Sequence, residues 1–320
     1  MLRCAVLDDY QNAARSFGEW DSLAGKIDLH VFNDFIGDRD ALADSLSSFE
    51  IAVAMRERTR FDRALFGRLP KLKLLITTGM VNAAIDMDAA ADHGVTVCGT
   101  PGSAGSTAEL TWGLILALMR HIPAEHAELR RGGRWQTTVG REVRGRQLGI
   151  IGLGKLGAQV ARVALAFEMK VKAWSANLTA ARCAEIGVDF AGSLDELLGR
   201  SDIVSLHLVL SDRTRGLIGT RELGQMKKGA VLINTSRGPL VDETALIAAL
   251  KEKHISAGLD VFDREPLPEG HPLRGLDNVV VTPHLGYVTG ETYRIYYGGV
   301  VEDIAAWIAG NPVRIIKAAS

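Results

Sequence analysis

The chain has 320 residues, 47% hydrophobic and 23% charged, with a formal net charge of −1; one very large domain or two ordinary ones fit that length. So balanced a charge gives no electrostatic case for nucleic acid or an anionic membrane surface. The longest apolar run, near 114–119, is much too short to span a bilayer. Three cysteines, Cys4, Cys98 and Cys183, lie far apart and fit neither a zinc spacing nor a disulfide framework, so a reducing cytoplasm is the expected setting. Residues 1–9 read as a first strand ending in acids rather than as a signal peptide.

Short apolar segments at 3–8, 31–32, 51–54, 72–76 and 95–97 predict strands, and helical patterns such as 39–46 and 61–69 lie between them. That alternation predicts a parallel sheet covered by helices on both faces. The turn formers from Gly99 to Gly105 mark a linker. Ser106 and Glu109 then read as a capping box opening a long apolar helix to about Arg120. A further helix closes in a basic, aromatic loop that contains Arg134 and Trp135.

Residues 147–157 organise the rest. An apolar run breaks into Gly152-Leu153-Gly154-Lys155-Leu156-Gly157 and passes into a helical pattern. Gly152 allows the tight turn, Gly154 lets a pyrophosphate approach the backbone, and Gly157 lets helix and sheet pack closely. The helix then points its free N–H groups at the phosphates. The strand before and the helix after are the context that makes this pattern a dinucleotide fingerprint. Later strands are predicted at 170–174, 203–206, 230–234, 256–261 and 279–282, with helices including 179–186, 193–199 and 242–252. Two doubly wound units therefore follow one another. A last helix, from about 289 to 309, comes too late for the second alternation and is expected to pack on the first unit.

Ligands of open parallel sheets bind outside the carboxyl ends of the strands. The predicted strand 230–234 ends in Asn234-Thr235-Ser236-Arg237-Gly238-Pro239, which offers a planar guanidinium to an anion. The next two segments end in Asp260-Val261-Phe262-Asp263-Arg264-Glu265-Pro266 and in Thr282-Pro283-His284-Leu285-Gly286. An arginine, an acid and a histidine thus leave the same edge of three consecutive strands, supplying an anion clamp, a carboxylate and a proton carrier. His207, also at a strand end, is placed at the cofactor cleft. No cluster has metal spacing and Gly-x-Ser-x-Gly is absent, which disfavours a zinc or serine hydrolase.

These four motifs, in this order over nearly the whole chain, resemble the D-isomer-specific 2-hydroxyacid dehydrogenase family. The resemblance implies two doubly wound parallel-sheet domains, a Rossmann cofactor domain (100–284) inserted into a flavodoxin-like substrate-facing domain (1–99 plus 285–320). It implies hydride transfer between NAD(P) and C2 of a small 2-hydroxy or 2-oxo acid. Arg237 is then the substrate clamp, His284 the proton donor or acceptor and Glu265 its partner. Cofactor contacts fall to Gly152, Gly154, Lys155, Leu156, Gly157, Ser175, Asn177, His207, Thr235, Ser236, Asp260 and Gly286. Substrate contacts fall to Thr78, Gly79, Met80, Val81, Arg237 and Tyr287. Two departures bear on the substrate: Gly79-Met80-Val81-Asn82 replaces the family's usual Gly-x-Gly, and Tyr287 stands where a small residue is common.

The second strand of the glycine-rich unit ends without an acid: Ser175-Ala176-Asn177-Leu178-Thr179 follows it, and the next carboxylate is Glu185. A carboxylate there would bond the ribose hydroxyls and repel a 2′-phosphate. Its absence predicts that NADPH is accepted at least as well as NADH, with Arg182 the nearest cation; alternatively, Ser175 and Asn177 cap the next helix. Among rivals, a formate enzyme is disfavoured by Glu265, phosphite oxidation stays open, and a dinucleotide-sensing binding protein is disfavoured by a complete catalytic set. Family members usually dimerise through the cofactor domain, so a homodimer with Trp135 at or near the interface is expected.

Overall fold

The structure is a computed structural model describing residues 1–103 and 105–317. The chain divides into two compact units, Met1–Ser103 with Val288–Ser320, and Ala104–Tyr287. These divisions fall a few residues beyond the expected 99/100 and 284/285.

The first unit holds β1 (Leu2–Val6), β2 (Ile27–Val31), β3 (Ile51–Ala54), β4 (Leu74–Thr77) and β5 (Thr96–Gly99), all parallel in the order β2-β1-β3-β4-β5. This is the flavodoxin-like winding. Every residue of β3 and β4 is buried, because helices cover both faces of a parallel sheet and leave no side to water. The late helix Gly290–Ile308 belongs to this unit: Tyr297 is fully buried beside Trp20 and Tyr293 meets Phe17 edge-on at 5.8 Å. The chain after it returns to β5, where Gly99 N–H donates to Arg314 O and Ile316 N–H to Val97 O.

The second unit holds β6 (Gln147–Ile151), β7 (Lys170–Trp174), β8 (Asp189–Phe190), β9 (Ile203–Leu206), β10 (Ala230–Asn234), β11 (Ile255–Leu259) and β12 (Val279–Val281). The order is β12-β11-β10-β9-β6-β7-β8, all parallel. The chain winds outward from β6 and then reverses to β9, which makes the Rossmann-type switch point beside β6. Side chains alternate between two cores: Ile150, Ile203 and Ile233 face the helices Ser106–Met119 and Lys155–Ala166, while Ile151, Val204 and Leu232 face the opposite layer. Both expected doubly wound units are present.

Several local expectations differ, among them the strand expected at 31–32, which runs Ile27–Val31. The capping box is not formed: Gly105 is the N-cap, Ser106 is already helical, and no side chain caps this helix. β8 was missed because its two residues are exposed at a sheet edge and carry no buried pattern. β11 ends at Leu259 rather than 261, so Asp260 and Val261 open the following loop.

Candidate active site

At the carboxyl end of β6 the three glycines do different things. Gly152 has φ +101°, and a Cβ there would lie 2.5 Å from the His207 carbonyl oxygen. A Cβ on Gly157 would lie 2.1 Å from Gly152 O. Around Gly154 a Cβ would meet nothing within 4 Å. Gly154 is also the N-cap of the helix Lys155–Ala166, which has no side-chain cap, whereas Thr179, Ser193 and Asp242 cap the helices that follow them. An uncapped N-terminus with open space in front of it fits a pyrophosphate. His207 lies next to this turn. Its Nε2 is 2.9 Å from Ser205 Oγ, and its buried Nδ1 has no partner among the described residues. Burial pushes its pKa down to about 4, so the ring is neutral at neutral pH. These residues fit a dinucleotide cofactor.

Beyond β7, Thr179 Oγ1 accepts from Arg182 N and caps the helix Ala180–Ile186. Ser175 and Asn177 therefore do not cap it, and that alternative falls away. Arg182 lies 2.7 Å from Glu185 in an exposed pair, a contact of little worth that a phosphate could displace.

At the end of β10, Asn234 folds the arginine loop onto itself. Its Nδ2 donates to Arg237 O at 2.8 Å and its Oδ1 accepts from Ser236 N at 3.0 Å. Ser236 Oγ donates to Leu206 O, and Arg237 Nη1 donates to Ser236 O at 2.7 Å. A Cβ on Gly238 would lie 2.1 Å from the Phe262 carbonyl carbon, so the arginine turn is pressed against the turn that carries Glu265. There Glu265 Oε1 accepts from Phe262 N at 2.9 Å, and Oε2 lies 2.6 Å from His284 Nδ1. A carboxylate can only accept, so Nδ1 carries the proton and Nε2 is the nitrogen left for chemistry. His284 and Glu265 side chains are 18% and 28% exposed. Tyr287 meets the imidazole edge-on at 5.4 Å.

His284 has φ +53°, a strained setting for a residue with a side chain. The fully buried Asp260 holds the loop in it. Its carboxylate accepts from Thr282 Oγ1 (2.7 Å), Leu285 N (2.6 Å) and Gly286 N (2.8 Å). Burial raises the Asp260 pKa against the opposing pull of these bonds. In this structure Asp260 and Gly286 thus shape the histidine loop, a role sequence reasoning missed. The Asx-type signal at Asn234, an amide side chain two residues before a turn, was there to be read.

In the first unit, the 78–81 loop follows β4. Thr78 N–H donates to Ala54 O and Gly79 N–H to Thr100 Oγ1 at 2.9 Å. Met80 and Val81, 44% and 74% exposed, are the outward positions of the loop. Asn82 braces it through Arg56 O and Thr77 Oγ1.

A Rossmann-type sheet with an open glycine turn, an anchored arginine and a carboxylate-bound histidine places the second unit in the class of dinucleotide-binding α/β folds. The comparisons agree. The D-isomer specific 2-hydroxyacid dehydrogenase NAD binding domain matches residues 112–286. A glyoxylate reductase of Aeropyrum pernix is 40% identical over 79% of this chain and 78% of its own length. A D-3-phosphoglycerate dehydrogenase of Methanocaldococcus jannaschii is 37% identical over 85% of this chain and 52% of its own length. The crystal structure of a phosphoglycerate oxidoreductase from Vibrio cholerae O395 superposes with TM-score 0.93 at 38% identity, covering 97% of this chain and 100% of that one. The chain belongs to the D-isomer specific 2-hydroxyacid dehydrogenase family. It spans about half the length of the phosphoglycerate dehydrogenases it matches.

Proposed function

We propose that the chain moves hydride reversibly between NAD(P) and C2 of a small D-2-hydroxy or 2-oxo acid. The observation that carries this is the 2.6 Å contact of Glu265 with His284 Nδ1, which leaves Nε2 as the proton-transfer atom. A bound nicotinamide supplies or takes the hydride at C2. In reduction His284 Nε2 gives its proton to the oxygen on C2, and in oxidation it takes that proton back. Glu265 holds the ring in one tautomer and orientation. Arg237 clamps the substrate carboxylate and stabilises charge developing on the C2 oxygen. Gly152, Gly154, Lys155, Leu156 and Gly157 bind the pyrophosphate, with His207, Thr235 and Ser236 lining the cofactor cleft and the fully buried Asp260 holding the histidine loop. Thr78, Gly79, Met80, Val81 and Tyr287 bear on which acid is taken.

Glyoxylate, hydroxypyruvate and 3-phosphoglycerate are the first substrates to try, since relatives are named for the first and last of these. NADPH serves at least as well as NADH, because Ser175 and Asn177 put no negative charge where a 2′-phosphate would lie. Three buried, unpaired thiols suit a reducing cytoplasm. The protein works as a homodimer. The test is a panel of 2-oxo acids with each reduced cofactor, and of 3-phosphoglycerate with each oxidised cofactor, read by nicotinamide absorbance. Turnover of at least one is expected, and none across the panel would refute the reading.

A further inference from the structure

Two loops carry the proposed chemistry, and both are tied to the first two turns of one helix. That helix, Ser106–Met119, lies against the second sheet. Thr107 Oγ1 donates to Gly286 O at 2.9 Å, across 179 residues of sequence. Thr111 Oγ1 donates to Thr107 O at 2.8 Å and lies 2.8 Å from Thr235 Oγ1. A hydroxyl has one proton. Thr111 gives its own to Thr107 O, so Thr235 donates to Thr111. The chain of bonds therefore runs from the arginine loop (Thr235) through Thr111 and Thr107 to the histidine loop (Gly286).

The Gly286 peptide unit is held on both sides, its N–H by Asp260 and its carbonyl by Thr107. A Cβ at 286 would come within 3.1 Å of Thr107 Oγ1 and 3.2 Å of Asp260 Oδ2, so the fit is close. Gly286 lies two residues beyond His284, whose φ of +53° depends on the loop being held. Thr111 and Thr235 are 0% and 7% exposed. Water cannot readily replace a bond between two such buried hydroxyls.

We infer that Thr107 and Thr111 are positioning residues: they lock the His284 and Arg237 loops to one helix and so fix the geometry of the acid–base group and the anion clamp. This rests on the proposed hydride transfer. Neither threonine touches substrate; each acts through the loop it holds. Their separate attachments predict separate kinetic effects. Loosening Gly286 misplaces His284 and lowers kcat, since small displacements of a catalytic group cost rate steeply. Loosening Thr235 misplaces Arg237 and raises KM for the 2-oxo acid.

The test uses Thr107→Val, Thr107→Ser and Thr111→Val in the full chain, with kcat, KM for each substrate, and amide hydrogen exchange at Leu285 and Gly286. Thr107→Val is expected to lower kcat by about tenfold with little change in KM for the cofactor. It should speed exchange at both amides, and Thr107→Ser should restore both. Thr111→Val should raise KM for the 2-oxo acid more than it lowers kcat. A Thr107→Val enzyme with wild-type kcat and exchange would overturn the proposal, as would a Ser variant no better than Val. If wild type turns over no member of the panel, the functional reading fails. Unchanged exchange in Thr107→Val would then show separately that the brace is absent.

Discussion

His284 shows how much one residue depends on its neighbours. It is held by Glu265 at Nδ1, by Asp260 through the amides of Leu285 and Gly286, and at a positive φ. His284→Ala is expected to lower kcat by roughly 10²- to 10⁴-fold, the usual worth of a positioned general acid; near wild-type kcat in steady-state assays would remove it from the mechanism. Arg237→Lys should lower kcat/KM for the best 2-oxo acid markedly, because an ammonium lacks the planar fork. Equal kcat/KM in the two proteins would contradict the clamp. Ser175→Asp should shift the NADPH/NADH ratio of kcat/KM toward NADH by restoring repulsion against the 2′-phosphate. A wild-type preference for NADH above about 100-fold, roughly 2.7 kcal/mol, would defeat the cofactor reading. At this scale the sequence was legible where chemistry dictates residue type: Arg237, Glu265 and His284 stand out by type at the ends of consecutive strands, and the structure joins Glu265 to His284. The bonds of Asp260, Thr107 and Thr111 were not legible, because each of these residues has a partner more than 20 residues away in sequence, across the fold.

Elements were legible in proportion to burial. β7, β9 and β10 fall at the expected residues: β9 and β10 are wholly buried and β7 alternates buried with more exposed positions, and both patterns leave little freedom. The exposed β8 left no trace, and the capping box failed because Ser and Glu at the right spacing do not say where the first turn begins. The helix Gly290–Ile308 carries a pH dependence that no pattern announces. Its Asp303 is fully buried, accepts from Arg314 Nε at 3.0 Å through Oδ1, and leaves Oδ2 without a partner among the described residues. Burial pushes its pKa up to about 7, with Arg314 pulling the other way. A carboxyl whose folded pKa is raised binds its proton more tightly in the folded state. Its contribution to stability is therefore complete below the unfolded value of about 4 and is lost as pH rises through about 7. The melting temperature of wild type should fall across this window more steeply than that of Asp303→Asn. Parallel curves in thermal scans would show that Asp303 does not titrate there.

At the scale of the molecule, one helix leaves its apolar side chains uncovered within its own unit. The helix Ile122–Arg130 contains no buried residue, although a helix ordinarily buries one face. Ile122, Leu129, Trp135 and Val139 are 53%, 58%, 75% and 91% exposed. With Arg134 and His126, three of the same region's residues, Ile122, Leu129 and Trp135, line an open hollow of about 450 Å³. The loop that presents Trp135 is nevertheless anchored: Arg134 N donates to Glu128, and the amides of Thr137 and Thr138 donate to Glu125. An anchored arm with an apolar face loses little entropy on association, and tryptophan is the residue type that most often dominates an interface. Among the described residues none covers the Trp135 ring, which is 75% exposed. A second copy is the partner that would cover it, and light scattering at micromolar concentration should give a dimer. Trp135→Glu should weaken association by about tenfold or more, ~1.4 kcal/mol, because a charge would enter the apolar centre of the contact. A monomeric wild type at that concentration, or a Trp135→Glu protein that dimerises as tightly, would show that the arm serves something other than self-association.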